Sequence, residues 1–76
     1  MDDHTLARIT KKVAQQFPEI EGAKPSIRKE RTPTGQIQFV LTYRGKASLP
    51  GGRTMQRVVR VIVNESGRVI KMSTSK

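Results

Sequence analysis

Gln36-Ile37-Gln38-Phe39-Val40-Leu41-Thr42-Tyr43-Arg44 decides the fold. Ile37, Phe39, Leu41 and Tyr43 alternate with Gln36, Gln38, Thr42 and Arg44, and Val40 falls among the polar set. A period of two over such a length is the mark of a strand with one covered face. The strand is predicted over 36–44, and something apolar must lie across its aromatic side.

Working outward toward the amino end, Thr32-Pro33-Thr34-Gly35 reads as a turn. Proline presets φ at its second position and glycine accepts a positive φ. Before it, residues 26–31 form a short extended segment anchored by Ile27, with Arg28, Lys29 and Arg31 along it. Charge of this density suits an edge strand, where it discourages pairing with other chains. Residues 18–25 form a connector between two prolines, with Ile20 tucked beneath it. Further back, Leu6, Ile9, Val13 and Phe17 recur at steps of three, four and four, which draws one apolar stripe on a helix. Asp2 or Asp3 can cap its first turn. Pro18 disfavours helical geometry at Phe17. The helix is predicted over 3–16.

Toward the carboxyl end, regularity is expected to break over 45–52, ending in Leu49-Pro50-Gly51-Gly52. Two β-rich segments follow, over 54–64 and 68–74, joined through Asn64-Glu65-Ser66-Gly67 with Gly67 in the left-handed position. Two registers compete. With Val63 opposite Arg68, the residues Val59, Val61, Ile70 and Met72 share one face and Arg60 lies opposite Lys71. With Asn64 opposite Arg68, Val61 faces Lys71 and Arg60 faces Met72. The first gives the cleaner apolar face and is preferred, because a buried face is what fixes register. Disorder is expected only in the tail, 73–76.

These elements make one α+β domain over 1–76: an N-terminal helix packed on a four-stranded antiparallel meander sheet, α-β-β-β-β. Its predicted core is Leu6, Ile9, Val13, Phe17, Ile37, Phe39, Leu41, Tyr43, Val59, Val61, Ile70 and Met72. The chain has no cysteine and a single histidine, His4, so neither disulfides nor a His-based zinc site is expected to support the fold. No apolar run approaches the roughly 20 residues that span a bilayer. Met1-Asp2-Asp3-His4 lacks the basic and apolar segments of a secretory signal. The expectation is a cytoplasmic protein without membrane, metal or cofactor.

Charge is the strongest functional signal. The net formal charge is +9, and it is unevenly placed. Residues 1–21 carry Arg8, Lys11 and Lys12 against Asp2, Asp3, Glu19 and Glu21, a net of −1. The rest of the chain therefore carries +10, with only Glu30 and Glu65 opposing its cations. Such a field concentrates polyanions or repels copies of itself.

Nothing in the sequence assembles an active site. His4 is the only imidazole, no serine sits in a nucleophile elbow, and the carboxylates are scattered over connectors, an edge and a turn. Pro50-Gly51-Gly52-Arg53 lacks the spacing and the following helix of a phosphate loop, and reads as an inter-strand turn. The expectation is a non-enzymatic binding module. Arg57, Arg60 and Lys71 are predicted to form its basic sheet face, extended by Arg44, Lys46 and Arg53. Val58, Ile62 and Val69 are placed on the face of Arg60 and Lys71. Nucleic acid is the first partner this composition suggests. The alternative is a homodimer, or an acidic protein docked on the same face. The three aromatics, Phe17, Phe39 and Tyr43, all fall on predicted core faces, which disfavours a base-stacking platform.

Overall fold

The computed structural model describes residues 2–75, of Ser75 the backbone only. Helix α1 spans Asp3–Gln16. The Asp2 carboxylate accepts the Thr5 backbone N–H at 2.7 Å, satisfying a donor that the first turn leaves free. That bond favours the ionised form and holds the Asp2 carboxyl below its ordinary range. At the other end Phe17 donates its N–H back to the Val13 carbonyl, and Pro18 opens a single 3-10 turn, Pro18–Ile20. Ile9 and Val13 are buried on the sheet, with Leu6, Ala14 and Phe17 packed at their margin.

The sheet is an antiparallel meander of β1 (Ser26–Arg31), β2 (Ile37–Ser48), β3 (Thr54–Asn64) and β4 (Val69–Ser75), in that spatial order. α1 lies across one face. Beneath it Leu41, Tyr43, Val59, Val61 and Val63 are fully buried, joined by Ile20 from the 3-10 turn. The Tyr43 hydroxyl meets the Thr10 hydroxyl at 2.8 Å, so the polar tip of the buried ring is paired. Burial pushes the Tyr43 phenol above its ordinary value, and the Thr10 bond partly opposes the shift.

The α-β-β-β-β order and the antiparallel meander agree with the sequence reading. Three details do not. First, β2 runs on to Ser48 instead of stopping at Arg44. Gly45 breaks nothing: it pairs with Arg57, and the chain turns only at Leu49–Arg53, where Leu49 donates its N–H to the Arg53 carbonyl. Glycine is required at 45 because a Cβ there would lie 2.2 Å from the Glu19 carbonyl oxygen of the 3-10 turn.

Second, neither predicted register of the last hairpin holds throughout. The turn pairs Asn64 with Arg68 and Val63 with Val69, but a bulge follows. Beyond it Ile62 lies opposite Lys71, Val61 opposite Met72 and Arg60 opposite Ser73. Ile70, predicted as core, is the extra residue and is 58% exposed. Val69, predicted on the outer face, turns inward beside Val63. Third, Ser73, Thr74 and Ser75 belong to β4 and not to a disordered tail; Lys76 lies outside the described residues.

β1 pairs with β2 only as far as Thr42, and β4 reaches only to Val58. The end of the β2–β3 hairpin therefore projects as a two-stranded ribbon tipped by Leu49–Arg53. The long axis of the molecule is 48 Å and its shortest 16 Å.

Candidate nucleic-acid interface

Directly paired residues of an antiparallel sheet point to the same face, so the register sorts every charged side chain. One row across the sheet reads Arg28, Val40, Ile62, Lys71. The next reads Ser26, Thr42, Arg60, Ser73. Beyond them Arg44 stands opposite Val58 and Lys46 opposite Gln56. All of these lie on the face away from α1. Rows on one face are two residues apart, about 6.8 Å at strand rise. The cations thus form a stripe that starts on the four-stranded part and runs up the ribbon to Lys46.

Four of the six predicted contact residues belong to this stripe: Arg44, Lys46, Arg60 and Lys71 are all exposed. Arg53 is exposed too, but it closes the tip turn opposite Leu49, in the row that continues the helix-side pairs Ala47–Met55 and Gly45–Arg57. Arg60 and Lys71 share the face but are diagonal neighbours and not directly opposed. Arg57 does not belong. It has the parity of Val59 and points to the helix side, where its Nε lies 2.7 Å from a Glu19 carboxylate oxygen. The N–H is not aimed at that oxygen, so the contact is an ion pair without an aligned hydrogen bond. Arg57 thereby ties the ribbon to the 3-10 turn, beside the close approach at Gly45.

Arg28 is the residue that sequence reading misplaced by grouping it with Lys29 and Arg31. Pairing with Val40 puts Arg28 on the open face, whereas Lys29 and Arg31 take the helix-side parity. The turn at Thr32–Gly35 sets that parity: Thr32 donates its N–H to the Gln36 carbonyl, Gln36 donates its N–H to the Thr32 hydroxyl oxygen, and the two bonds fix the count. Arg28 is ion-paired to Glu30, two residues along the same face.

Val40 is only 6% exposed although no secondary-structure element covers it. It floors a shallow dent of about 170 Å³ whose walls include Arg28, Thr42 and Arg60. A second dent beside Arg60 is bounded by Val58 and Ser73. A wider cleft, about 800 Å³, lies elsewhere, between α1 and the 18–25 connector, lined by Leu6, Ala14 and Ala23. Phe17 and Phe39 pack against the core and Tyr43 is within it, so none of the three rings is presented on the open face.

Among the described residues no three His, Asp or Glu side chains gather as metal ligands, and no helix is long and apolar enough to cross a membrane. His4 is exposed in the first turn of α1. The chain matches no protein-family model, no curated protein and no solved structure.

Proposed function

We propose that this protein is a non-enzymatic module that binds nucleic acid through the open face of its sheet and the adjoining ribbon. One observation carries the reading: Arg44, Lys46, Arg60 and Lys71 occupy one uncovered face whose single strand carboxylate, Glu30, is already paired with Arg28. Among the described residues no other strand carboxylate stands on that face to neutralise the remaining cations. Lys and Arg in such a stripe neutralise phosphates and release their counterions, which gives strong, salt-sensitive and weakly sequence-selective binding. The inward placement of all three aromatics supports backbone contact over base stacking.

A homodimer through the same face is less well supported. It would press two like stripes together with no counter-charge, and an uncompensated desolvated charge is costly. The deciding experiment follows amide shifts while labelled DNA and RNA are titrated at two salt concentrations. Shifts along the Arg28, Arg60, Arg44 and Lys46 rows that weaken with salt support the proposal. Absence of binding at low salt, or a concentration-dependent dimer in sedimentation that buries these rows, overturns it.

A further inference from the structure

We propose that the cleft between α1 and the β3–β4 turn is a separate phosphate-binding site, held by Arg8, Lys12 and Arg68. It lies on the helix side of the sheet, so it is distinct from the stripe above and does not depend on it.

The cleft is about 460 Å³, a size that accommodates a small ligand. Arg8 and Lys12 are one helical turn apart and so share a face of α1. Like charges at that spacing destabilise a helix, and here no acid stands one turn away on either side to offset them: the flanking positions are His4, Thr5, Gln15 and Gln16. Arg68 lines the cleft on the turn side, and Ile9 and Val69 are the apolar residues that border it. Among the described residues no carboxylate lines it. Glu65, the nearest in sequence, borders a different dent beside Asp2 and Thr5.

Two features set the geometry before any ligand arrives. Arg8 Nη2 donates to the Gly67 carbonyl at 3.3 Å. A guanidinium has five N–H donors, so this anchor leaves most of them uncommitted. Gly67 is buried with φ of 86°, and a Cβ there would lie 2.8 Å from Thr5 Cγ2. Only glycine lets the turn seat this closely on the helix, which is what brings Arg68 to the same cleft as Arg8 and Lys12. Three cations around one small polar hollow match a phosphate group, which presents several oxygens and more than one charge; the arginine fork suits it in particular.

The test is a titration of the whole protein with inorganic pyrophosphate, read on backbone amides and on Arg and Lys side-chain nitrogens. Saturable shifts centred on Arg8, Lys12 and residues 66–68, at roughly millimolar pyrophosphate or below, are expected. Lys12→Gln with Arg68→Gln should weaken binding about tenfold or more, while Arg60→Glu with Lys71→Glu leaves it unchanged. The second arm adds a 5′-phosphorylated oligonucleotide to the pyrophosphate complex. Displacement identifies the source as nucleic-acid phosphate; retention identifies a small phosphorylated molecule. Shifts that scatter without saturation over all exposed cations overturn the proposal. So does unchanged affinity in the Lys12/Arg68 variant, provided its amide spectrum shows the fold retained.

Discussion

Reversing Arg60 and Lys71 together, as Arg60→Glu with Lys71→Glu, tests the open face most directly. The unpaired cations of the stripe are Arg44, Lys46, Arg60 and Lys71. If each covers one phosphate of a duplex, log K falls against log salt with a slope of about −3.6. Between 50 and 200 mM salt this protein should then lose roughly 150-fold in affinity. With two contacts removed the slope relaxes to about −1.8, and the loss over the same range is roughly 12-fold. If the two proteins converge near 1 M salt, where the electrostatic part vanishes, the variant binds about 200-fold more weakly at 50 mM. The fold should survive, because both side chains are exposed and stand opposite neutral residues, Ser73 and Ile62. Exposed substitutions of this kind usually stay within about 0.5 kcal/mol. Fluorescence anisotropy of a labelled duplex at four salt concentrations gives the slopes. Lys29→Glu with Arg31→Glu makes the same change in net charge on the helix-side parity of β1. If that control flattens the slope as much as the Arg60/Lys71 variant does, net charge and not the face is responsible. An unaltered slope in a folded Arg60/Lys71 variant refutes the contact.

Gly45→Ala should destabilise by about 3 kcal/mol, the upper end for overpacking, because the new methyl meets backbone of the 3-10 turn that no rotamer change can move. With a urea slope of about 1 kcal/mol/M the midpoint drops by about 3 M, whereas Gly52→Ala, open to solvent but at φ of 76°, should cost only about 1–2 kcal/mol; equal midpoints for the two variants would contradict the packing argument. Tyr43 is held above its ordinary value of 10.0, so the folded protein keeps a proton that the unfolded chain has released, and stability falls as pH rises past about 10. Tyr43→Phe should lose about 0.5–1.5 kcal/mol at neutral pH with the Thr10 bond and should lack that alkaline component; urea midpoints that track wild type across the alkaline range would exclude it. Asp2 is held below its ordinary value, so its contribution is present above that value and is lost as pH falls through the lowered one. Asp2→Asn keeps the cap and should remove this acid dependence from the exchange protection of the first helical turn, whereas an unchanged profile would assign the dependence to another carboxylate.

The helix was legible because its stripe, its cap and Pro18 agree, and β2 was legible because its alternation is uninterrupted up to Tyr43. Both are local signals, and both survive packing. What the sequence hid depends on a distant segment. Gly45 looks like punctuation until the 3-10 turn is seen resting on it. Arg57 is a different case: strand parity already groups it with Val59 and Val61, and what the distant segment adds is its partner, Glu19. Val40 sits among polar residues in the pattern, yet it is sheltered on a face that no element covers. The stripe itself was readable from strand parity for Arg44 and Arg60, whereas Lys46 fell in the stretch expected to be irregular and joins the face only because β2 runs on to Ser48. The cleft at Arg8, Lys12 and Arg68 was not, because it joins two segments that sequence periodicity treats separately.

Lys71 reaches the open face only through a bulge, and the magnitudes explain why the bulge forms. The Asn64–Gly67 turn fixes the starting register: Asn64 donates its N–H to the Arg68 carbonyl, and its side-chain oxygen accepts the Arg68 N–H at 2.9 Å. That puts Val63 opposite Val69. Continued without interruption, the same register would bring Lys71 opposite Val61, on the side covered by α1. Burying an unpaired ammonium there costs several kcal/mol. Ile70 would stand on the open face opposite Ile62 even in that register, so inserting it as the extra residue forfeits only part of the roughly 1.5–3 kcal/mol that full burial of an isoleucine is worth. It also brings Met72 opposite Val61, so the covered face gains an apolar chain where a cation would have stood. Separation of like charges alone is too weak to decide the matter, since a directly opposed pair costs no more than about 1 kcal/mol. The desolvation of Lys71 outweighs the exposure of Ile70, and the register that results sets Arg28, Lys71, Arg60, Arg44 and Lys46 each opposite an uncharged neighbour on a single face.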